Sequence, residues 1–429
     1  MNDAAKNSQP PWPISSLKRF GRLLGGSGFP VDEQGFSETE MEIPFFKVKD
    51  LAGSLTLTET NNYISKETAT RLGATIFSES AIVFAKVGAA LLLNRFRVLG
   101  CEGCLDNNMM ALLLKKPNNV SFFLHLLNNS DLSSNFNQGP VPSVNTRQVG
   151  ALVVTVPKPA EQQRIAAYLD ASCAAIDAAV AAKRRQLETL DALRCAAFHS
   201  AFAPLLDGVA ERIKDVAAKI GSGVTPEGGA AGYLDDGIPL LRSQNVHFDG
   251  LWLDDVAFIS EDTHSEMRNS QVKPRDVLLN ITGASIGRCT YVPDGFGEGN
   301  VNQHVCIVRP GHRLHYEFLA AFLSSPMGQD QVMSSFTGAS RQGLSHKELG
   351  LIRIPFPPFE VQKATCALLN SKLAEVKRIV AGIESQIATL TAYRKSLIHE
   401  CVTGQRRVTD EDVRRARHGE RSQPTERRA

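Results

Sequence analysis

Residues 157–194 read PKPAEQQRIAAYLDASCAAIDAAVAAKRRQLETLDALR. No proline follows Pro159 and alanine is frequent, so the stretch predicts one long helix. Positions 165, 169, 172, 176, 179, 183, 187 and 190 step by four and three, and Ile165, Leu169, Ile176, Leu187 and Leu190 lay an apolar seam along them. Residues 357–400, PPFEVQKATCALLNSKLAEVKRIVAGIESQIATLTAYRKSLIHE, repeat the design with Leu369, Val376, Ile383, Ile387, Leu390 and Leu397. Shifted by 200, residues 157–200 and 357–400 share 13 of 44 residues, Gln162/Gln362 and Leu169/Leu369 among them. Composition alone gives about three, and a period this long marks a duplicated domain unit, not a solenoid repeat. Forty helical residues reach about 60 Å, and one apolar seam on such a rod requires a partner. Each helix supplies the other's partner as an antiparallel pair. The alternative is two amphipathic helices packed on separate domains.

Each helix follows a block of about 150 residues. Strand-like runs lie at 43–48, 81–85, 109–114 and 151–156, then at 238–242, 276–281, 305–309 and 351–356, and turn residues separate them. Short helices are expected at 120–127 and 317–325. The fold class expected is α+β: two mixed α/β domains separated by two long antiparallel helices forming an intramolecular coiled coil. The boundaries read are 1–156, first domain; 157–204, first helix; 205–356, second domain; 357–405, second helix; and 406–429, a charged tail expected to be disordered.

Composition excludes little. The chain has 429 residues, 43% hydrophobic and 21% charged, with a net charge of +2. Residues 1–156 carry +1, residues 205–355 carry −5 and the tail from Arg406 carries +3. A nucleic-acid role for the second block therefore requires its cations on one face. The polar N-terminus lacks signal-peptide layout and the apolar window 81–93 is too short to span a bilayer, which predicts a cytoplasmic protein with no membrane partner. The eight cysteines suggest no disulfide framework, and Cys101 and Cys104 form a single C-x-x-C without the second pair that a structural zinc site uses. No Gly-Lys dipeptide exists, which removes the Walker A loop. Asn300 stands where a carboxylate nuclease following Asp294 and Glu298 would place its lysine. The corner Phe356-Pro357-Pro358-Phe359 lacks the polar first residue of an amino-methyltransferase loop. The expectation is a chain without catalytic residues, metal or cofactor of its own.

Polar side chains gather instead near strand ends. The first block offers Lys47, Lys49, Lys86, Arg95, Arg97, Asn107 and Arg147. The second offers Arg242, Gln244, Asn245, Asn280, Thr282, Ser285, Arg288, Asn302, Gln303, Ser340, Arg341 and Gln342. These residue types hydrogen-bond base edges and phosphates, although each also serves in turns or on solvated surface.

Taken together, the chain resembles the DNA specificity subunits of type I restriction-modification systems over nearly its whole length. The resemblance rests on both helices with their proline corners, on the Val-Thr-Gly ending at 402–404, and on 238–246, 276–289, 300–310 and 337–358. In the first domain, 43–51 and 143–159 hold the same places, while VGAALLLNRF (87–96) stands where the second has TGASIGRC (282–289). The resemblance implies that each target recognition domain reads one half of a bipartite, asymmetric site in double-stranded DNA. It implies that the helix pair sets the gap and docks two methyltransferase subunits carrying S-adenosylmethionine. Separate restriction subunits would supply ATP- and Mg-dependent translocation and cleavage. In this picture Arg242, Arg288 and Arg341 turn towards DNA. A scaffold binding only proteins, and a stand-alone methyltransferase or nuclease, are the competing readings.

Overall fold

The computed structural model describes residues 12–418 apart from 39–40, 133–136, 138, 226–228 and 337–342. The chain divides into two compact units, residues 1–182 with 386–429, and residues 183–385. The two long helices run Pro159–Leu206 and Phe359–Val402, so each contributes one segment to each unit.

The first unit is built on a five-stranded sheet. Its order is Gly21–Gly25, Met109–Leu114, Ile82–Ala85, Arg97–Leu99 and Thr56–Leu57. Beside it Ile43–Phe46 pairs antiparallel with Tyr63–Ile64 and parallel with Cys104–Leu105. The helix Val120–Asn128, opened by the Asn119 side chain accepting the Phe122 N–H, presents Phe122, Phe123 and Leu127 to the core. That core takes in Ile165, Leu169 and Ile176 of the first long helix and Leu397, Cys401 and Val402 of the second. The two segments run antiparallel: Asp177 meets Arg394 at 3.0 Å, and Arg164, nearer the start of the first helix, meets Asp410 in the chain just beyond the end of the second.

The second unit repeats the plan. Its four-stranded sheet has the order Ala217–Ser222, Val305–Pro310, Val277–Asn280 and Cys289–Tyr291. Ile238–Leu241 again pairs antiparallel on one side, with Ala257–Ile259, and parallel on the other, with Asn300–Val301. The helix Tyr316–Ser324 buries Phe318 and Phe322, whose rings meet Phe202 of the first long helix at 5.3 and 5.4 Å. Cys366 and Leu369 of the second long helix join the same core.

Of the expected seam, Ile165, Leu169, Ile176, Leu190, Leu369, Ile383 and Leu397 are buried, and Leu187, Val376, Ile387 and Leu390 are half-buried. The first long helix contains a window of mean hydropathy 1.5, enough by length and composition to cross a membrane. Much of that apolarity is alanine, and its larger side chains pack into the cores just described.

One expectation is corrected. The tail expected to be disordered forms a helix, Asp410–His418, within the described residues. Its high charge hid a short apolar face: Val408 is buried, and Val413 and Ala416 pack on the first unit's core. Thr409 and Asp412 cap one another's backbone N–H at 2.8 and 3.2 Å.

Candidate nucleic-acid interface

In the second unit, three of the polar groups read from the sequence converge. The Asn302 N–H donates to the Leu241 carbonyl (3.1 Å), which ties the end of the 300–301 strand to the turn at 242–245. Asn280 Nδ2 donates to the Ser243 carbonyl (2.8 Å) and to Ser285 Oγ (3.2 Å), drawing the 280–285 loop to the same turn. Thr282 Oγ1 hydrogen-bonds His304 Nδ1, and the Ile281 N–H donates to the His304 carbonyl (3.0 Å). The chain leaving the fourth group joins through the Leu344 N–H on the Ile281 carbonyl (2.8 Å). Loops from three strand ends, with the chain at Leu344, thus close one patch. Gln244 and Gln303 are exposed there, while Thr282, Ser285 and Arg288 are half-buried.

The first unit builds the same frame with other side chains. Its Asp106 N–H donates to the Phe46 carbonyl (2.9 Å), Lys86 N–H to Asn108 (2.9 Å), and Val144 N–H to Lys86 (2.9 Å). These match, bond for bond, the Asn302, Ile281 and Leu344 hydrogen bonds of the second unit. Gly88 at φ +77° and Gly283 at φ +74° both turn the loop after the central strand, in a left-handed conformation that favours glycine. Gly26 and Gly223 lie where a strand crosses its neighbour so closely that a Cβ would fall 2.1 Å from the Asp106 carbonyl oxygen and 1.6 Å from that of Val301. On this frame the first unit carries Lys47, Lys86 and exposed Asn107, with exposed Lys49 on the adjoining turn.

Several sequence candidates sit differently from expectation. The Arg242 guanidinium does not stand free: it donates to the Asp255 carbonyl (2.9 Å), pairs with the Asp255 carboxylate (3.7 Å) and lies over the Tyr233 ring. Asp255 also accepts from Gln244 Nε2. Asn245 is buried, and its amide serves the Trp252 and Asp255 carbonyls and the Arg242 N–H, so it shapes the turn instead of facing outward. Asn280 and Asn302 are likewise buried; Asn302 Oδ1 accepts the His304 N–H (3.1 Å). Arg97 lies away from the loop frame. It lines a cleft of about 720 Å³ with His125, Asn128, Arg394 and Lys395 of the same unit. Arg95 is half-buried on the loop before Arg97, and Arg147 is exposed on the helix Thr146–Gly150. Ser340, Arg341 and Gln342 lie outside the described residues.

Two features escaped the sequence reading. Asp255, on the loop that follows the hairpin, holds Arg242 and Gln244 in place. The hairpin Val246–His247 with Gly250–Leu251 exposes Phe248 at its tip, and Trp252 beside it stacks on His247 at 3.8 Å. The Asp249-Gly250 pair flanked by apolar residues was the available signal.

Residues 31–189 match the family described as the type I restriction modification DNA specificity domain. The chain is 22% identical over 425 residues to the type I restriction enzyme EcoBI specificity subunit of Escherichia coli, covering 92% of this chain and 86% of that one. It is 25% identical over 179 residues to the EcoKI specificity subunit of Escherichia coli (strain K12), a match that spans 38% of that protein's length. In fold it is similar to the HsdS subunit from Thermoanaerobacter tengcongensis, with a TM-score of 0.55 at 16% identity over 95% of this chain and all of that one. A chain from work on "complex assembly and conformational transition of the type I R-M system" superposes at a TM-score of 0.74 and 15% identity, covering 92% and 99%.

Proposed function

We propose, from its similarity to the specificity subunits of type I restriction-modification systems, that this chain is the non-catalytic subunit that selects the DNA target of such a complex. Each unit reads one half of a bipartite, asymmetric duplex site with the loop frame described above. The helix pair fixes the gap between the halves and docks two methyltransferase subunits. Those partners carry S-adenosylmethionine and extrude the target adenine. Restriction subunits bring ATP and Mg, and the whole assembly works in the cytoplasm.

The observation that carries this reading is a frame built twice and furnished differently. Identical backbone bonds hold Lys47, Lys86 and Asn107 in one unit and Gln244, Thr282 and Gln303 in the other. A constant scaffold with variable side chains is what two readers of different base sequences require. The exposed amides suit base edges, and the first unit's lysines suit phosphates. Helices of 48 and 44 residues have lengths of about 70 Å, ample for two readers one DNA turn, about 34 Å, apart. The test is a gel shift of the chain with its methyltransferase subunit on random and on selected duplexes. Equal affinity for both would reject target selection.

A further inference from the structure

His315, Glu317 and Cys366 meet at the joint between the second unit's recognition-domain helix and its long helix. His315 precedes helix Tyr316–Ser324, Glu317 lies in its first turn, and Cys366 projects from Phe359–Val402. One ligand-capable atom from each, an imidazole nitrogen, a carboxylate oxygen and Sγ, lies within 4.8 Å of the others. We propose that these three side chains bind a divalent cation of the zinc type, which ties the recognition-domain helix to the long helix. The site lies outside the loop frame and does not depend on the DNA reading.

Four observations support it. His315 Nδ1 is buried and has no hydrogen-bond partner, and a buried polar atom in that state calls for an ion or a water. The imidazole is already oriented: it stacks on Tyr316 at 4.9 Å, meets Phe359 edge-on at 5.6 Å, and its backbone N–H is held by Gln362 Oε1 at 2.8 Å. Second, Cys366 is buried, and its Sγ, with the thiol proton it carries, lies within 4.8 Å of the other two ligand atoms. A cation that displaces this proton to solvent leaves one thiolate and one carboxylate, which neutralise a 2+ charge. Third, Tyr316 OH donates to Glu317 Oε1 at 3.3 Å and so orients the carboxylate, as partners behind metal ligands do. Fourth, the nearby cations are already paired, Arg275 with Asp294 at 2.8 Å and Lys363 with Glu360 at 3.2 Å.

A sulfur–nitrogen–oxygen set selects zinc over magnesium or calcium, and three protein ligands leave a fourth position for water. Ligand bonds of about 2.0–2.3 Å require the three side chains to draw inward from their present separations of up to 4.8 Å. Among the described residues the first unit has no such set. At the corresponding joint stand Asn119, Ser121 and Ala166, and Ser121 Oγ donates to Asp170 there. Sequence reading found no cluster because 49 residues separate Glu317 from Cys366.

The test is titration of the chelator-treated full-length chain with Co²⁺, reading the thiolate-to-cobalt charge-transfer band, followed by displacement with Zn²⁺. The expected result is one equivalent of Co²⁺ with that band, lost in Cys366→Ser and in His315→Ala and retained in the control Cys101→Ser. Glu317→Gln, at a half-buried position, should keep the fold and weaken binding by roughly tenfold or more. Absence of a thiolate band in the folded chain, or its persistence in Cys366→Ser, would overturn the proposal. Should Cys366→Ser fail to fold, unchanged affinity in Glu317→Gln would overturn it equally.

Discussion

Gln362 is buried beneath His315, accepting its backbone N–H on Oε1 at 2.8 Å. Its Nε2 donates to the Arg313 carbonyl (3.1 Å) and to the Pro357 carbonyl of its own corner (2.9 Å). Gln162 does the same in the first unit: Oε1 accepts from Asn119 N–H at 2.9 Å, and Nε2 donates to Asn118 Oδ1 (3.3 Å) and the Pro157 carbonyl (2.9 Å). The repeated glutamine is therefore a staple between each unit's mixed α/β domain and its long helix. Gln362→Ala leaves one buried donor and two acceptors unpaired, at a cost of about 2–3 kcal/mol. Gln362→Glu keeps the acceptor but loses the donor and should cost a similar amount. Hydrogen exchange at the starts of helices Tyr316–Ser324 and Phe359–Val402 checks this, and Gln162→Ala should loosen only the first unit.

In the first unit, the His125 imidazole and Ser121 Oγ meet Asp170 Oδ1 at 2.9 and 2.6 Å. Burial pushes the Asp170 carboxyl up, but these two hydrogen bonds outweigh it and hold the group below its usual range. A depressed folded pKa contributes stability above the unfolded value, about 3.9, that is lost as pH falls through the folded one. Asp170→Asn should therefore cost about 1 kcal/mol near neutrality, a low figure because the carboxylate is 54% exposed. The gap between the variant and the parent should close below about pH 4. Denaturant melts at pH 7, 5 and 3 read it directly.

Arg309 grips Asp276 with Nε and an Nη at 2.7 Å each, and the Lys273 N–H adds a third bond to the same carboxylate at 2.7 Å. Asp276 is only 1% exposed. Arg309→Ala strands that charge and should destabilise the second unit by about 3–5 kcal/mol. Urea unfolding followed by probes in each unit should show the loss in the second alone.

Much of this was legible in advance. The long helices declared themselves through seam and repeat, and the strands at 43–46, 82–85, 109–114, 238–241, 277–280 and 305–310 appeared where alternating or continuous apolar runs placed them. Short strands such as Cys104–Leu105 and Asn300–Val301 were not, because a two-residue pairing is set by its neighbours and leaves no periodicity. The polar clusters at 242–245, 280–285 and 302–304 were found, but the sequence could not rank them. Asn245 and Gln303 look equally suited to contact a base, and only the fold buries one and exposes the other. Gln162 and Gln362 stood out as an identical pair while their role as staples depended on backbone atoms far off in sequence.

On the proposed reading, the loop frame separates two kinds of DNA contact. Lys47→Ala and Lys86→Ala should weaken duplex binding by the assembled methyltransferase on all sequences, and each should lower the salt slope by about 0.9 for every phosphate it leaves without its cation. Gln303→Ala should leave the slope unchanged and cost about 1–3 kcal/mol of discrimination at one base pair. Fluorescence anisotropy across a salt series, with target and scrambled duplexes, distinguishes them.

The central claim is that two units on one chain read two separate pieces of DNA. Mapping methylated adenines across the host genome, in cells carrying the parent chain and then Gln303→Ala, tests it most directly. The account predicts a target of two specified segments with a fixed unspecified gap, relaxed within one segment only by the variant. A single uninterrupted motif, or relaxation spread over both segments, would contradict it.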